Sequence, residues 1–254
     1  MSDLSRDLER LAILVSKELK IRYKRSVFGY IWAVVNPLAF ALVYYVAFKL
    51  IMRIEVENYA IFLLSAMFPW MWLANALRTA TSTFSDNASL VKYVTLPRYI
   101  LPLSVISHEA IHFLFALPVL LVFVVFGGGE FHPSWMWQIL ILIPLQFVLV
   151  YPFCLLFSLF NVFVADVEHL VGIALSMLFF LTPIVYPIEM VPESLKMFMN
   201  LSPVAALIEV WRSVLLHGEI VWPKVLVCLS TAMILGGIAS IYYRRTSIKI
   251  AERL

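Results

Sequence analysis

Few residues in this chain have the types and spacing that chemistry needs. His108, Glu109 and His112 form the one ionisable cluster inside a long apolar run, with the two histidines at i and i+4 on one helical face. Ionisable groups at such depth are candidate functional sites by default, here a proton relay, a ligand site or the centre of a membrane-embedded enzyme. Two histidines are too few for a usual metal site and no third ligand is identifiable, so the expectation is no metal and a structural hydrogen-bonded cluster. Other catalytic signatures are missing. Gly127-Gly128-Gly129 runs into Glu130-Phe131 instead of the Lys-Ser/Thr that grips phosphate, and no Gly-x-Ser-x-Gly, His-Glu-x-x-His or Cys-x-x-Cys occurs. The expectation is therefore no catalytic residue and no cofactor on this chain. Cys154 and Cys228 lie in apolar runs without paired spacing and read as core thiols.

Two further polar groups stand at the ends of apolar runs. Asp166, Glu168 and His169, in "ADVEH", read as a polar turn, with a partner contact as the alternative. Lys20, Arg22, Lys24 and Arg25 precede the first apolar run, where positive charge sets topology. The same cluster would attract anionic headgroups or a lipid-linked phosphate.

The elements that must position these residues follow from composition. Of 254 residues 63% are hydrophobic and 14% charged, with a mean hydropathy of +0.93, which describes an all-α polytopic membrane protein. A span takes roughly 20 apolar residues, so the whole of 1–254 is read as one transmembrane domain. Apolar runs place spans near 28–52, 59–77, 100–126, 135–164, 170–187 and 221–243. The first follows a charged segment without a small-residue cleavage site and reads as a retained span. Six spans put both ends on one side, together with the connections 78–99 and 165–169. Fourteen Lys and Arg fall on that side and five, Lys49, Arg53, Lys196, Arg212 and Lys224, on the other. Positive charge stays inside, so both termini are expected in the cytoplasm.

Three segments are not simple spans. In 1–25, Leu4, Leu8, Leu11, Val15 and Leu19 recur at steps of three and four, as in an amphipathic helix lying in the interface or on the body of the protein. The connection 187–220 is too apolar for a solvated loop. Pro192-Glu193 and Ser202-Pro203 each open a short helix there, and Val204, Leu207, Ile208, Trp211 and Leu215 form one apolar face. Such a pair either dips back into the membrane or lies flat on its surface. Third, Ser85, Asp86 and Asn87 offer caps for a short helix carrying Leu90, Val91, Tyr93 and Val94. An apolar helix with nothing obvious in its own chain to cover it suggests docking in a partner's groove. Within the first span, Asn36-Pro37 is expected to break the helix, while Phe40, Tyr44 and Phe48 stack at i, i+4 and i+8. Tyr45, about 100° further round, is expected to pack against a neighbour.

Several stretches then line up in order. "ELKIRYKRSVFGYIWAVVNP", "FLLSAMFPWMWL", "NASLVKYVTLPRYILPLS", "LFNVFVADVEHLV", "FFLTPIVYP" and the terminal "IAERL" resemble the permease subunits of ABC transporters that export O-antigen, capsule and teichoic acid. The resemblance covers nearly the whole chain. It implies a homodimer of six-span subunits in the inner (plasma) membrane, joined to two ATP-binding subunits that hold ATP and Mg. The cargo would be polysaccharide linked to undecaprenyl diphosphate, with lipid and no nucleic acid as further partners.

The same resemblance assigns roles. Asp86, Asn87, Leu90, Val91, Lys92 and Tyr93 would form the coupling helix against the ATPase. Lys20, Arg22, Lys24 and Arg25 would meet the lipid diphosphate, and Pro192, Pro203 and Trp211 would belong to an outer gate in 187–216. Phe40, Tyr44 and Phe48, with Phe179, Phe180 and Tyr186 from the fifth span, would line the sugar path.

Overall fold

The computed structural model describes residues 3–23, 29–94, 96–127, 129–247 and 249–253; Lys24, Arg25, Phe28, Thr95 and Gly128 lie outside the described residues. Helix α1 (Asp3–Tyr23) is followed by α2 (Trp32–Tyr44), which continues as a wider π-type helix over Tyr45–Ile51. Then come α3 (Tyr59–Asp86), α4 (Ala88–Tyr93), α5 (Ile100–Phe126), α6 (Trp135–Phe163) and α7 (Val167–Leu181). The chain ends with α8 (Glu193–Leu201), α9 (Pro203–His217), α10 (Trp222–Thr246) and α11 (Ile250–Arg253), and no strand occurs among the described residues. Helix satisfies every backbone group within the segment, which is what an apolar surround demands.

Five of these, from α2 with its continuation through α3, α5, α6 and α10, are long and apolar enough to cross a membrane. The fifth expected span, 170–187, is shorter as a helix than the sequence suggests. α7 has 15 residues, about 22 Å of rise, and stops before Pro183 because the residue ahead of a proline is driven out of the helical region. The chain then turns, with Thr182 in extended backbone and Ile184 N–H bonded to the Thr182 carbonyl at 2.7 Å.

α3 lies at the centre, against α2, α5, α6, α7 and α9. In its most apolar stretch 78% is buried, against 11% in that of the first span, so α2 is peripheral and needs lipid or a second chain to cover it. Ala66, Ala76 and Ala80 are wholly buried along α3 and let its neighbours approach closely. Cys154 and Cys228 are both buried free thiols.

The expected break at Asn36-Pro37 is not there. Pro37 is buried inside α2, and the winding changes seven residues later, at Tyr44/Tyr45. Pro37 sits in the second turn, where it deprives only one carbonyl of its partner, so the helix runs on. The π stretch ends where Met52 N–H bonds the Ala47 carbonyl, and Lys49 Nζ donates to the carbonyls of Ile54 (3.3 Å) and Val56 (2.9 Å) beyond it.

A second, smaller core gathers both ends of the chain at one end of the bundle. Leu14 of α1, Phe84 of α3, Val91 of α4, Ile100 and Leu101 of α5, Leu159 of α6 and Ile250 of α11 are all buried in it. α1 therefore packs along α5 through Leu11, Leu14 and Val15, while Leu8, Ile13 and Ile21 stay exposed. The buried line is rotated from the expected one, which included Leu8, because α1 is also pinned through polar contacts. Tyr99 donates its hydroxyl to Asp7 (2.6 Å), and Lys17 Nζ donates to Asn87 Oδ1 (3.2 Å).

The Tyr99 hydroxyl, and after it Arg10, hold the Asp7 carboxyl below its ordinary value of 3.8, while the same bond pushes Tyr99 up to about 12. A lowered carboxyl contributes docking strength that is complete above its unfolded value and fades as pH falls through its folded one. The protection of α1 amides, with exchange corrected for its intrinsic pH dependence, is therefore expected to fall as pH drops below about 4. Tyr99→Phe should flatten that dependence, and an unchanged profile in the variant would count against the contact.

Candidate functional site

The aromatic residues of α2, α3 and α7 converge on one groove. Tyr44 faces Phe179 with ring centroids 5.0 Å apart, Phe179 meets Trp70 at 5.7 Å, and Phe180 stands nearly perpendicular to Phe179 at 5.1 Å. With Phe40, Met71, Asn75, Arg78 and Ser176 they line a cleft of about 310 Å³. Past Arg78, Ser176 and Phe180 this cleft joins a wider opening of about 630 Å³, whose other walls include Glu168, His169 and Gly172. The groove is thus aromatic within and charged at its mouth.

Of the residues expected on the sugar path, Phe40, Tyr44, Phe179 and Phe180 come together here. Phe48 stacks next to Tyr44 at 6.2 Å but is not part of the lining. Tyr186 folds back beyond the end of α7 and donates to the Phe180 carbonyl (2.8 Å), one of the last-turn acceptors that a helix end leaves open. Tyr45 packs on Tyr59 of α3 at 6.1 Å, as its angular position requires. Trp72 is core, stacked on Phe113 at 5.2 Å. Trp70, Asn75, Arg78 and Ser176 were not separable from packing residues in the sequence, since only the approach of α7 to α3 makes them lining.

The turning, non-helical segment after α7 is held by two side chains that no local pattern advertises. Arg212 of α9 donates Nη1 to the Pro183 carbonyl (2.8 Å) and Nη2 to that of Ile184 (3.0 Å), and Tyr59 donates to Val185 O (2.6 Å). The Arg212 guanidinium lies 3.7 Å over the ring centre of Phe62. Non-helical backbone at such depth persists only where protein satisfies it, and this is how it is done here.

The proposed gate residues divide. α8 and α9 meet at 88°, with Pro192 just ahead of α8 and Pro203 as the first residue of α9. Ser202 caps α9, its hydroxyl accepting from Ala205 N–H at 3.3 Å. Trp211 is wholly buried: its Nε1 donates to Gln146 Oε1 (2.7 Å), and Gln146 in turn donates to the Pro69 carbonyl (2.9 Å). α9 thus sits inside the bundle against α3, α6 and α10, whereas α8 has no buried residue.

α4 also differs from a bare helix. Val91 is buried and Leu90 half-buried beneath the C-terminal α11, while Lys92 and Tyr93 are exposed, Tyr93 to 85%. Asp86 closes α3 by accepting from Ser82 (2.7 Å), and Asn87 bonds back to the Thr83 carbonyl (2.9 Å). Of the basic cluster, Lys20 is exposed on α1 and Arg22 lies in its last turn.

His108 and His112 approach to 3.0 Å between their Nε2 atoms, and His108 Nδ1 stands 3.6 Å from Glu109 Oε1, all three buried. One imidazole must donate and the other accept, so the contact holds a single proton between them. None of the three lines the aromatic groove or its mouth. Among the described residues no group of three or more His, Cys, Asp or Glu is placed to hold a metal ion.

Comparison with known proteins meets this geometry. Residues 9–216 match the family described as ABC-2 type transporter. The chain is similar to the O-antigen export system permease protein RfbA of Klebsiella pneumoniae, 34% identical over 96% of this chain and 94% of that one. It is also similar to RfbA of Myxococcus xanthus, at 30% over 80% and 79%, and to the polysialic acid transport protein KpsM of Escherichia coli, at 22% over 82% and 81%. A helical membrane bundle that matches the family through most of its length, and its relatives over four fifths or more of the chain, belongs to the ABC-2 type transporter family.

Proposed function

We propose that this chain is the permease of an ATP-driven exporter that carries lipid-linked polysaccharide of the O-antigen kind out of the cytoplasm. The observation that carries the reading is the continuous groove formed by Tyr44, Trp70, Phe179 and Phe180 behind a charged mouth. Aromatic faces pack on the C–H faces of sugar rings without fixing one register, so a long chain can slide along them. The export permeases it is similar to support the cargo.

The rest of the mechanism is coupling. With no phosphate-gripping loop of its own, the permease takes its force from two ATP-binding subunits, with ATP and Mg held there, which push on the exposed side of α4. Two permeases face each other with their grooves and exposed α2 surfaces inward, and both termini, by their positive charge, lie in the cytoplasm of an inner-membrane protein. Lys20, Arg22, Lys24 and Arg25 gather the lipid diphosphate at the membrane surface. α8 and α9 close the outer end.

Tyr44→Ala combined with Phe180→Ala, at a ring exposed in the groove, is expected to lower surface polysaccharide about tenfold or more while the amount of assembled complex stays near wild type. Both counts come from one preparation, surface glycan by immunoblot and complex by co-purification with the ATPase. Loss of assembly with the remaining complexes exporting normally would make the rings packing residues instead of a path.

A further inference from the structure

The mouth of the groove brings together three side chains that the sequence leaves apart. Arg78 stands two turns before the end of α3, and Glu168 and His169 lie in the first turn of α7. The turn is fixed by buried Asn161, whose Oδ1 accepts the Glu168 N–H at 3.1 Å, while the Asp166 side chain makes no cap bond. Among the described residues Arg78, the Glu168 carboxylate and the His169 ring have no ion pair and no hydrogen bond. Arg78 and Glu168 line one opening without reaching salt-bridge distance, and about 630 Å³ of space lies in it. Phe180 borders both this opening and the aromatic cleft behind it.

The chemistry of that set is specific. A carboxylate only accepts, a guanidinium only donates, and an imidazole does one at each nitrogen, which is the complement that neighbouring sugar hydroxyls require. The opposed charges of Arg78 and Glu168 leave little net field to concentrate an anion, so a diphosphate is the poorer fit. We infer that Arg78, Glu168 and His169 form a hydroxyl-recognising site that selects which glycan enters the groove, while the aromatic rings behind it are indifferent to sequence. The inference rests on the reading of the groove as a glycan path. A site built to bond hydroxyls discriminates against sugars that lack them, as a ring-stacking track cannot.

The test uses the full complex with its ATPase in lipid nanodiscs. The probes are soluble oligosaccharide from the surface polysaccharide that disappears when this gene is deleted, and inorganic pyrophosphate. Glu168→Gln and Arg78→Gln are each expected to weaken oligosaccharide binding about tenfold, the scale of one hydrogen bond to a charged group, with pyrophosphate failing to compete. All three side chains lie at an open mouth, so the variants should assemble normally, and co-purification with the ATPase checks this. Binding lost in Tyr44→Ala but unchanged in the two mouth variants would overturn this inference and leave the path standing. Competition by pyrophosphate, relieved by Arg78→Gln, would overturn it in favour of a headgroup site. Failure of the wild-type complex to bind the oligosaccharide would overturn both readings.

Discussion

Tyr93→Asp is expected to reduce export more than tenfold while the permease accumulates and pairs with itself normally. Tyr93 is 85% exposed on α4 and makes no core contact, so a carboxylate there costs the fold nothing. Under the coupling proposed above, what it removes is an aromatic anchor for the ATPase: exposed aromatics carry a disproportionate share of interface energy, and a charge in their place must be desolvated on docking. Val91→Asp, two positions away, should behave differently. Val91 is buried with Phe84 and Ile250, and an unpaired carboxylate there is expected to cost about 3 kcal/mol or more, so the protein should fail to accumulate. Export and ATP hydrolysis measured side by side separate the two. Normal export from Tyr93→Asp would remove α4 from the coupling path.

The second large effect is expected at Arg212. Arg212→Met keeps the volume but strips the donors from the Pro183 and Ile184 carbonyls and the cation from the face of Phe62. Each orphaned buried carbonyl costs roughly 1–3 kcal/mol, so a loss of about 3 kcal/mol in thermal stability is expected, together with protease cleavage near residues 182–187. Arg212→Lys should recover only part, because an ammonium cannot present the planar fork that reaches two successive carbonyls. Tyr59→Phe, which removes one donor from Val185, should fall between wild type and Arg212→Met. Since this segment carries α7 toward α8, export should fall with stability in the same order. Equal stability of Arg212→Met and wild type would mean that the segment after α7 holds itself.

These two residues also measure how far local pattern reaches. The exposed Tyr93 and the cap at Ser202 follow from spacing within one turn, and the structure keeps both. Arg212 counted in the sequence only as one of five positive charges on the less basic side, and nothing within ten residues of it explains its two carbonyls, 28 and 29 positions away. Val91 read as an uncovered apolar side chain because its cover, Ile250, comes from the far end of the chain.

By itself the sequence determined the membrane-spanning, all-helical architecture, the placement of its apolar runs, the helix start at Ser202-Pro203 and the shared face of Phe40 and Tyr44 in the first span. Those properties depend on hydropathy and on interactions between residues three or four apart, which any short window contains. The tertiary structure alone decided that Pro37 stays helical and that α7 stops before Pro183 under an arginine clamp. It alone buried Trp211 inside the bundle, and it alone brought Arg78 beside Glu168 and His169. Each of these turns on where a helix from elsewhere in the chain supplies a donor, a cover or a wall, and close packing fixes that only once the whole bundle has assembled.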